Sequence, residues 1–381
     1  MTEIEENKKY CLQATYCNSN FGSVLQCFAT QAFLKKHNID CYLVEKQDKG
    51  ITRLILSIKR RIIIFFKMIR FPEIRRVMKE QSNSSAKSIK SISSLSKNMI
   101  DEFVNANIRT VQVTSNDLRT LSENDNCIYY LTGSDQIWNS RRIIPDKVYF
   151  ATYAPRGKRI AFAASFGSMR LPRYNSNYLK KYISKYNRIS IREKSGIDLV
   201  KTLTGREATH LLDPVFLLSQ EEWREFARIS NEKICDKYIL CFFLDDPLPF
   251  AVNDIIKLAN SGNKIISIGY KHNEISEFVE YYDCDPRSFV NFINQAKCLL
   301  TDSFHATAFA TILHKPFYTY KRNYYDNDQS IRLEDFLKEM HLSEMYVQED
   351  NRREDASLLD FSHCDRRIAE NTIRAIQFLG L

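Results

Sequence analysis

Ala296-Lys297-Cys298-Leu299-Leu300-Thr301-Asp302-Ser303-Phe304-His305-Ala306-Thr307-Ala308-Phe309-Ala310-Thr311-Ile312-Leu313 passes from an apolar run, through a polar cluster, into a second apolar run. Residues 296–300 read as a short buried strand and 308–313 as a helix. The polar cluster around His305 therefore sits at the carboxyl end of a strand and the amino end of a helix. In open α/β sheets ligands bind there. The helix end adds free N–H groups and partial positive charge, which suit a phosphate or carboxylate. His305 adds the one side chain that trades a proton near neutral pH.

The same strand-to-helix rhythm extends in both directions. Lys9–Thr15 reads as a strand, Asn18–Ser23 as a polar turn, Val24–His37 as a helix and Cys41–Val44 as a second strand. Cys127–Leu131, Arg159–Ala163 and Arg188–Ile191 read as further strands, with a helix over Tyr178–Tyr186 and a last strand at Thr209–Leu212. Asp213-Pro214 turns the chain. A second series follows at Tyr238–Leu244, Lys264–Gly269, Cys298–Thr301 and Phe317–Tyr320. Strands alternating with helices predict parallel sheets in two halves. At 381 residues, two domains are expected. They divide at 1–212 and 213–381, with the final helix, Asp365–Phe378, free to pack back on either half.

Composition narrows the classes. The chain is 44% hydrophobic and 27% charged, which is globular. The opening Met1–Asn7 is polar and acidic, so no signal segment is predicted. Ten cysteines without CxxC pairs suggest buried thiols in a reducing compartment, here the cytoplasm. Seven histidines show no HExxH spacing, no stretch forms GxGxxG or a Walker loop, and no metal or cofactor is expected. Residues 51–90 hold eleven basic and two acidic residues, the whole +9 excess of the chain. The balance elsewhere argues against a nucleic-acid binder and for one local anionic partner. Within 51–80, Ile55, Ile58, Ile62, Phe65, Phe66 and Ile69 share a helical face, and most basic residues lie elsewhere. This stretch is too polar to span a bilayer. It lies either on an anionic membrane surface or on the protein's own core. Ser82–Lys97 reads as a Ser- and Lys-rich loop, and the basic insert as a whole covers about 51–98.

Four polar clusters share one placement, past the end of a predicted strand: Asn18–Ser23, Gly133–Asn139, Arg192-Glu193 and Asp302–His305. Each has an ordinary explanation. Gly133-Ser134-Asp135 makes a turn and cap, Trp138 packs in a core, Arg192 pairs with an acid, and Asp302 caps a helix.

Five segments in this order and spacing carry a resemblance. They are Asn20-Phe21-Gly22-Ser23-Val24-Leu25-Gln26, Gly133-Ser134-Asp135-Gln136-Ile137-Trp138-Asn139, Ser190-Ile191-Arg192-Glu193, Leu212-Asp213-Pro214-Val215 and Thr301-Asp302-Ser303-Phe304-His305-Ala306-Thr307. Together they resemble the polysaccharide pyruvyl transferase family over about residues 9–320, the basic insert excepted. The resemblance implies an α/β fold of two Rossmann-like domains facing a cleft, similar to GT-B glycosyltransferases. It implies transfer of the enolpyruvyl unit of phosphoenolpyruvate to a sugar of a cell-surface glycan or its lipid-linked precursor, ending in a pyruvate ketal. It aligns His305 with the family's histidine and Arg192 with its donor-binding arginine, within a donor site of Arg192, Ser303, Phe304 and His305. Ser303 stands where the family motif has arginine, Phe304 where it has leucine and Ala306 where it has glycine. The missing guanidinium removes a bidentate anion contact, so another cation compensates or the donor is held differently. Ketal formation needs a general acid and a base for the hydroxyls. His305 suits the first, and Asp135 or Asp302 the second. Asn20, Gly22, Ser134, Gln136 and Trp138 are expected on the acceptor side. Two other classes stay open: a GT-B glycosyltransferase using a nucleotide sugar, and a non-catalytic scaffold for glycan assembly.

Overall fold

The computed structural model describes residues 8–16, 19–87, 92–124, 126–168, 170–229, 237–322, 331–349 and 355–381. The first sheet contains β1 (Lys8–Gln13), β2 (Ile39–Lys46), β3 (Thr110–Val113), β4 (Tyr129–Thr132), β5 (Arg159–Ala164), β6 (Arg188–Ile191) and β7 (Thr209–His210). Its order is β3-β2-β1-β4-β5-β6-β7, every pair parallel. The second contains β8 (Tyr238–Phe242), β9 (Lys264–Ile268), β10 (Glu280–Tyr282), β11 (Cys298–Thr301), β12 (Phe317–Tyr320) and β13 (Tyr346–Val347). Its order is β10-β9-β8-β11-β12-β13, again all parallel.

Helices of the first half are α1 (Phe21–Lys36), α2 (Gly50–Arg70), α3 (Glu73–Lys87), α4 (Ser94–Asn107), α5 (Asp117–Asn124), α6 (Arg173–Ile183) and α7 (Ser195–Thr204). Those that follow are α8 (Gln220–Arg228), α9 (Pro249–Asn260), α10 (Pro286–Gln295), α11 (Phe304–Ile312), α12 (Ile331–Glu339) and α13 (Ser362–Leu379).

Each sheet contains the doubly wound strand order, in which the chain reverses direction across the sheet at one switch point. The reversal falls between β1 and β4 in one half and between β8 and β11 in the other. The strands beside those points are short and buried, as Leu299-Leu300-Thr301 in β11 shows, so their polar successors must emerge at the sheet edge. The two edges face each other, because residues from both halves line one cleft. This is the GT-B-like arrangement that the family resemblance implies.

The halves also share a core. Phe21 at the start of α1 stacks on Phe289 of α10 with ring centroids 5.0 Å apart, and it meets Phe242 at 6.0 Å. The final helix packs back on the first half. Asn371 Oδ1 accepts from Leu212 N at 2.8 Å, and Arg188 donates to the Phe378 carbonyl.

Three local readings change. The basic stretch 51–80 is two helices, because Pro72 has no N–H to donate and disfavours helical geometry at Phe71. The loop expected at 82–97 is helical to Lys87 and again from Ser94, where Ser93 Oγ accepts from Ser96 N at 2.9 Å. Residues 88–91 lie outside the described part, as do Met1–Asn7 and Asn18. The outer strands β3, β10 and β13 are short and lack a run of buried residues, so periodicity does not reveal them.

Candidate functional site

The cleft is built from the loops at the switch points. Asn20 follows β1, Asp135 and Gln136 follow β4, Leu244 follows β8, and Asp302, Ser303, Phe304 and His305 follow β11. Arg322, just past β12, and Arg332, on α12, also line it, with Tyr320, Leu333 and Tyr346. The space is about 620 Å³ including its mouth, which opens to solvent.

His305 is on the first turn of α11, where Ser303 is the cap and its Oγ accepts from Ala306 N at 3.4 Å. The cap is Ser303 and not Asp302. The imidazole is packed against the start of α1 so closely that only glycine fits there. A Cβ on Gly22 would lie 2.1 Å from Cγ and 2.2 Å from Nδ1 of the His305 ring. Gly22 therefore sets the distance between the two halves at the site. Asn20 caps α1, its Oδ1 accepting from Ser23 N at 3.1 Å.

Asp213 lies behind the histidine. It is fully buried, and its Oδ2 is 3.6 Å from His305 Nε2, an electrostatic contact rather than a hydrogen bond. The same oxygen accepts from Arg192 Nη1 at 2.6 Å and from Ser134 Oγ at 3.2 Å. Burial acts to raise the Asp213 carboxyl, but His305 and Arg192 outweigh it and hold it well below the usual carboxylate range. Asp213 belongs to a family-like segment of the sequence but reads there as a turn residue. What sequence cannot show is that this turn sits beneath a helix ninety residues further on.

Arg192 is buried, and its guanidinium stacks 4.6 Å from the Phe304 ring. Its Nε and Nη2 have no hydrogen-bond acceptor among the described residues, although Asp135 Oδ1 is 3.7 Å from Nη2. Burial opposes its charge, and Asp213, Asp135 and Glu193 restore it. Arg192 does not line the main cleft. It lines an adjoining recess with His210, Asp213 and Phe304, and Phe304 and Arg332 border both spaces.

Asp302 faces away from His305 toward the backbone of its neighbouring strand. It accepts from Leu244 N at 2.7 Å and Asp245 N at 3.1 Å, and its Oδ2 is 3.2 Å from Arg322 Nε. Burial raises its carboxyl, against the pull of Arg322. Asp135, with φ +52°, lines the cleft with Arg332 Nη1 3.9 Å away. The Gln136 amide is 2.6 Å from Arg332 Nη2. Ser134 supports from below, its Oγ also donating to Ala163 O at 2.9 Å.

Trp138 is not at the cleft. It is 1% exposed, stacked on Phe150 and packed on Phe166 and Tyr186, because its indole fills the core under the loop. Arg322 and Arg332 are the residues sequence reading misses. They come from the segment after β12, where no polar motif marks them, and both line the cleft. Away from this cleft, Asp246, His272 and Glu274 bring potential ligand atoms within 4.8 Å of one another. There His272 Nδ1 lies 3.1 Å from Asp246, and Nε2 is 2.9 Å from Phe243 O.

No curated protein matches the chain in sequence. The backbone is similar to UDP-GlcNAc 2-epimerase from Neisseria meningitidis bound to UDP-GlcNAc, at 13% identity and TM-score 0.47, over 96% of this chain and 100% of that one. It is similar to UDP-GlcNAc 2-epimerase from Methanocaldococcus jannaschii at 10% identity and TM-score 0.47, over 96% and 99%. It is also similar to the E. coli heptosyltransferase WaaC with ADP at 11% identity and TM-score 0.40, over 97% and 99%. The model of the polysaccharide pyruvyl transferase family matches residues 20–324, from the cap of α1 through His305 to the residues past β12. The chain belongs to that family, polysaccharide pyruvyl transferase, and is a transferase that modifies polysaccharide.

Proposed function

We propose that the donor is phosphoenolpyruvate and the product a cyclic pyruvate ketal on a sugar. The observation that carries this reading is His305 at a helix amino terminus, backed by Asp213 and facing a cleft that holds two arginines. The donor is a small trianion whose methylene carbon must gain a proton. Arg322 and Arg332 take its charged groups in the place of the guanidinium missing at 303. The buried Nε–H and Nη2–H of Arg192 lie past Phe304 and bind the anionic oxygen that reaches the recess.

His305 delivers a proton to the methylene carbon, leaving positive charge on the adjoining carbon, shared with its oxygen. Asp213 orients the ring and compensates its charge. A sugar hydroxyl attacks that carbon as Asp135 takes its proton. Phosphate then leaves with the C–O electron pair, and a second hydroxyl closes the ring with loss of its proton. Asn20, Gly22 and Gln136 shape the acceptor side. Asp302 holds Arg322 and the β8 loop, so it acts as a positioning residue. The acceptor is a lipid-linked sugar, met in the cytoplasm at the inner membrane face.

The test is incubation with phosphoenolpyruvate and a panel of lipid-linked sugars, followed by mass spectrometry. A product heavier by a pyruvate ketal, with phosphate released, is expected. His305→Ala should cut turnover by roughly 10²–10⁴, measured on protein that circular dichroism shows to be folded. Turnover of a nucleotide sugar instead would make the protein a glycosyltransferase.

A further inference from the structure

Helix α2 buries none of its residues over twenty-one positions. Ten of its large apolar side chains are exposed, Phe66 at 63% and Ile69 at 62% among them. At 100° per residue, Ile51, Ile55, Ile58, Ile62, Phe65 and Ile69 fall within an arc of about 80°. Lys59 and Arg70 lie on one flank of that arc and Arg61 on the other, each about 80–100° from its centre. A helix used for packing turns its apolar stripe inward. This one turns it outward and borders it with cations.

The opposite side of the last two turns is fastened to the protein. Lys67 Nζ donates to Ile143 O at 2.7 Å, Tyr174 O at 3.1 Å and Asn175 Oδ1 at 3.3 Å. Ile64, Met68 and Phe71 pack beside Ile74, Val77, Ile143 and Tyr174. The attachment continues toward the cleft. Asn175 donates to Ser140 O at 2.8 Å, and the Asn139 and Gln136 amides meet at 2.7 Å. Among the described residues no helix is long and apolar enough to cross a membrane.

We propose that α2 is an interfacial helix that docks the protein on an anionic lipid bilayer. Its apolar stripe enters the boundary between headgroups and acyl chains, and Lys59, Arg61 and Arg70 lie among the phosphates. Charge selects this occupant: a cation-bordered apolar stripe on the segment holding the whole excess charge complements an anionic surface. A second copy would bring the same cations together. Because the fastening runs to the loop that carries Gln136, docking holds the acceptor side of the cleft near the lipid. That purpose rests on the lipid-linked acceptor of the proposed function, whereas the docking observations do not.

The test uses the full chain with Phe65→Trp as reporter, since Trp138 and Trp223 are both buried. Vesicles of phosphatidylcholine alone are compared with vesicles also containing phosphatidylglycerol. A blue shift and co-sedimentation on the anionic vesicles are expected, weakening with salt. Lys59→Glu, Arg61→Glu and Arg70→Glu together should lower that partitioning by roughly a hundredfold. Ile58→Asp with Ile62→Asp should abolish it, with melting unchanged in both variants. Equal binding to both vesicle types, or binding to neither, overturns the proposal. So does a dimer in sedimentation velocity that the aspartates dissociate, which assigns the stripe to a second copy. The vesicles hold neither donor nor acceptor, so failure here is separate from failure of transfer, which is read on a soluble acceptor analogue.

Discussion

The molecule holds two sets of cations that differ in every respect but charge. In and beside the cleft, Arg192, Arg322 and Arg332 are each within 4 Å of an aspartate: Asp213 and Asp135, Asp245 and Asp302, and Asp135. On α2, Lys59, Arg61 and Arg70 stand in solvent beside exposed apolar side chains, and no described acid is in ion-pair range of them. A buried cation must be compensated to exist at all, and the compensation fixes where its hydrogens point. Such a set is suited to one small anion of fixed shape. An exposed set keeps its freedom and reads only the sign of a surface. On the two proposals above, one chain carries a geometric anion site and a non-geometric one, and the two should answer differently to mutation.

The sharpest contrast is expected at Asp213. Asp213→Asn takes from the buried Arg192 the one acid that is hydrogen-bonded to it, leaving Asp135 at 3.7 Å, and breaking a buried pair in this way costs about 3–5 kcal/mol. Chemical denaturation measures it. The pH dependence has a definite sign. The folded-state carboxyl lies below its ordinary value of 3.8, so its stabilisation is complete above that pH. It is lost as the pH falls through the lower folded value. The gap between wild type and Asp213→Asn should therefore be constant near neutrality and close in acid. A gap that widens on acidification would mean that Asp213 is not the ionised centre of the network.

A smaller effect is expected at Gly22, where the two halves touch. Gly22→Ala puts a methyl group into the His305 ring, and overpacking of this kind costs about 1–3 kcal/mol. The collision is with one side chain, so the cost should fall in a His305→Ala background. Single and double variants measured as a thermodynamic cycle give the coupling directly. Additive penalties would show that the α1 start relaxes away and that Gly22 does not set the approach.

The difference between the two sets also separates what the sequence discloses from what it hides. The switch-point loops were legible, because a short apolar strand such as Cys298–Thr301 followed by Asp302-Ser303-Phe304-His305 leaves its polar residues one place to go. The family followed from five such segments. Arg322 and Arg332 were hidden, since a lone arginine after a strand or on an amphipathic helix carries no signature, and only the fold brings Arg322 to Asp302 and Arg332 to Asp135. Trp138 misled, because a large aromatic inside a polar motif looks the same in sequence whether it lines the cleft or fills the floor beneath it. The stripe on α2 was visible at helical spacing, but its direction was not. Periodicity reports that a face exists, and tertiary packing decides whether it turns inward.

The comparison can be drawn finest within α2 itself, between Lys67 and Lys59, eight residues apart on one helix. Lys67 is half-buried and meets three oxygens of the domain body, and burial lowers its ammonium pKa. Lys59 is exposed. Lys67→Met keeps the length and apolar stem of the side chain but leaves Ile143 O and Tyr174 O without their donor. The expected loss is about 1–2 kcal/mol, the usual range for removing one partner of a buried polar contact. It should come with faster amide exchange along the end of α2, because the fastening and not the helix propensity holds that end down. Lys59→Met should change neither stability nor exchange, and should register only as weaker binding to anionic vesicles. Equal melting and exchange in the two variants would mean that α2 is not fastened through Lys67, and that the helix meets the body of the protein only through Ile64, Met68 and Phe71.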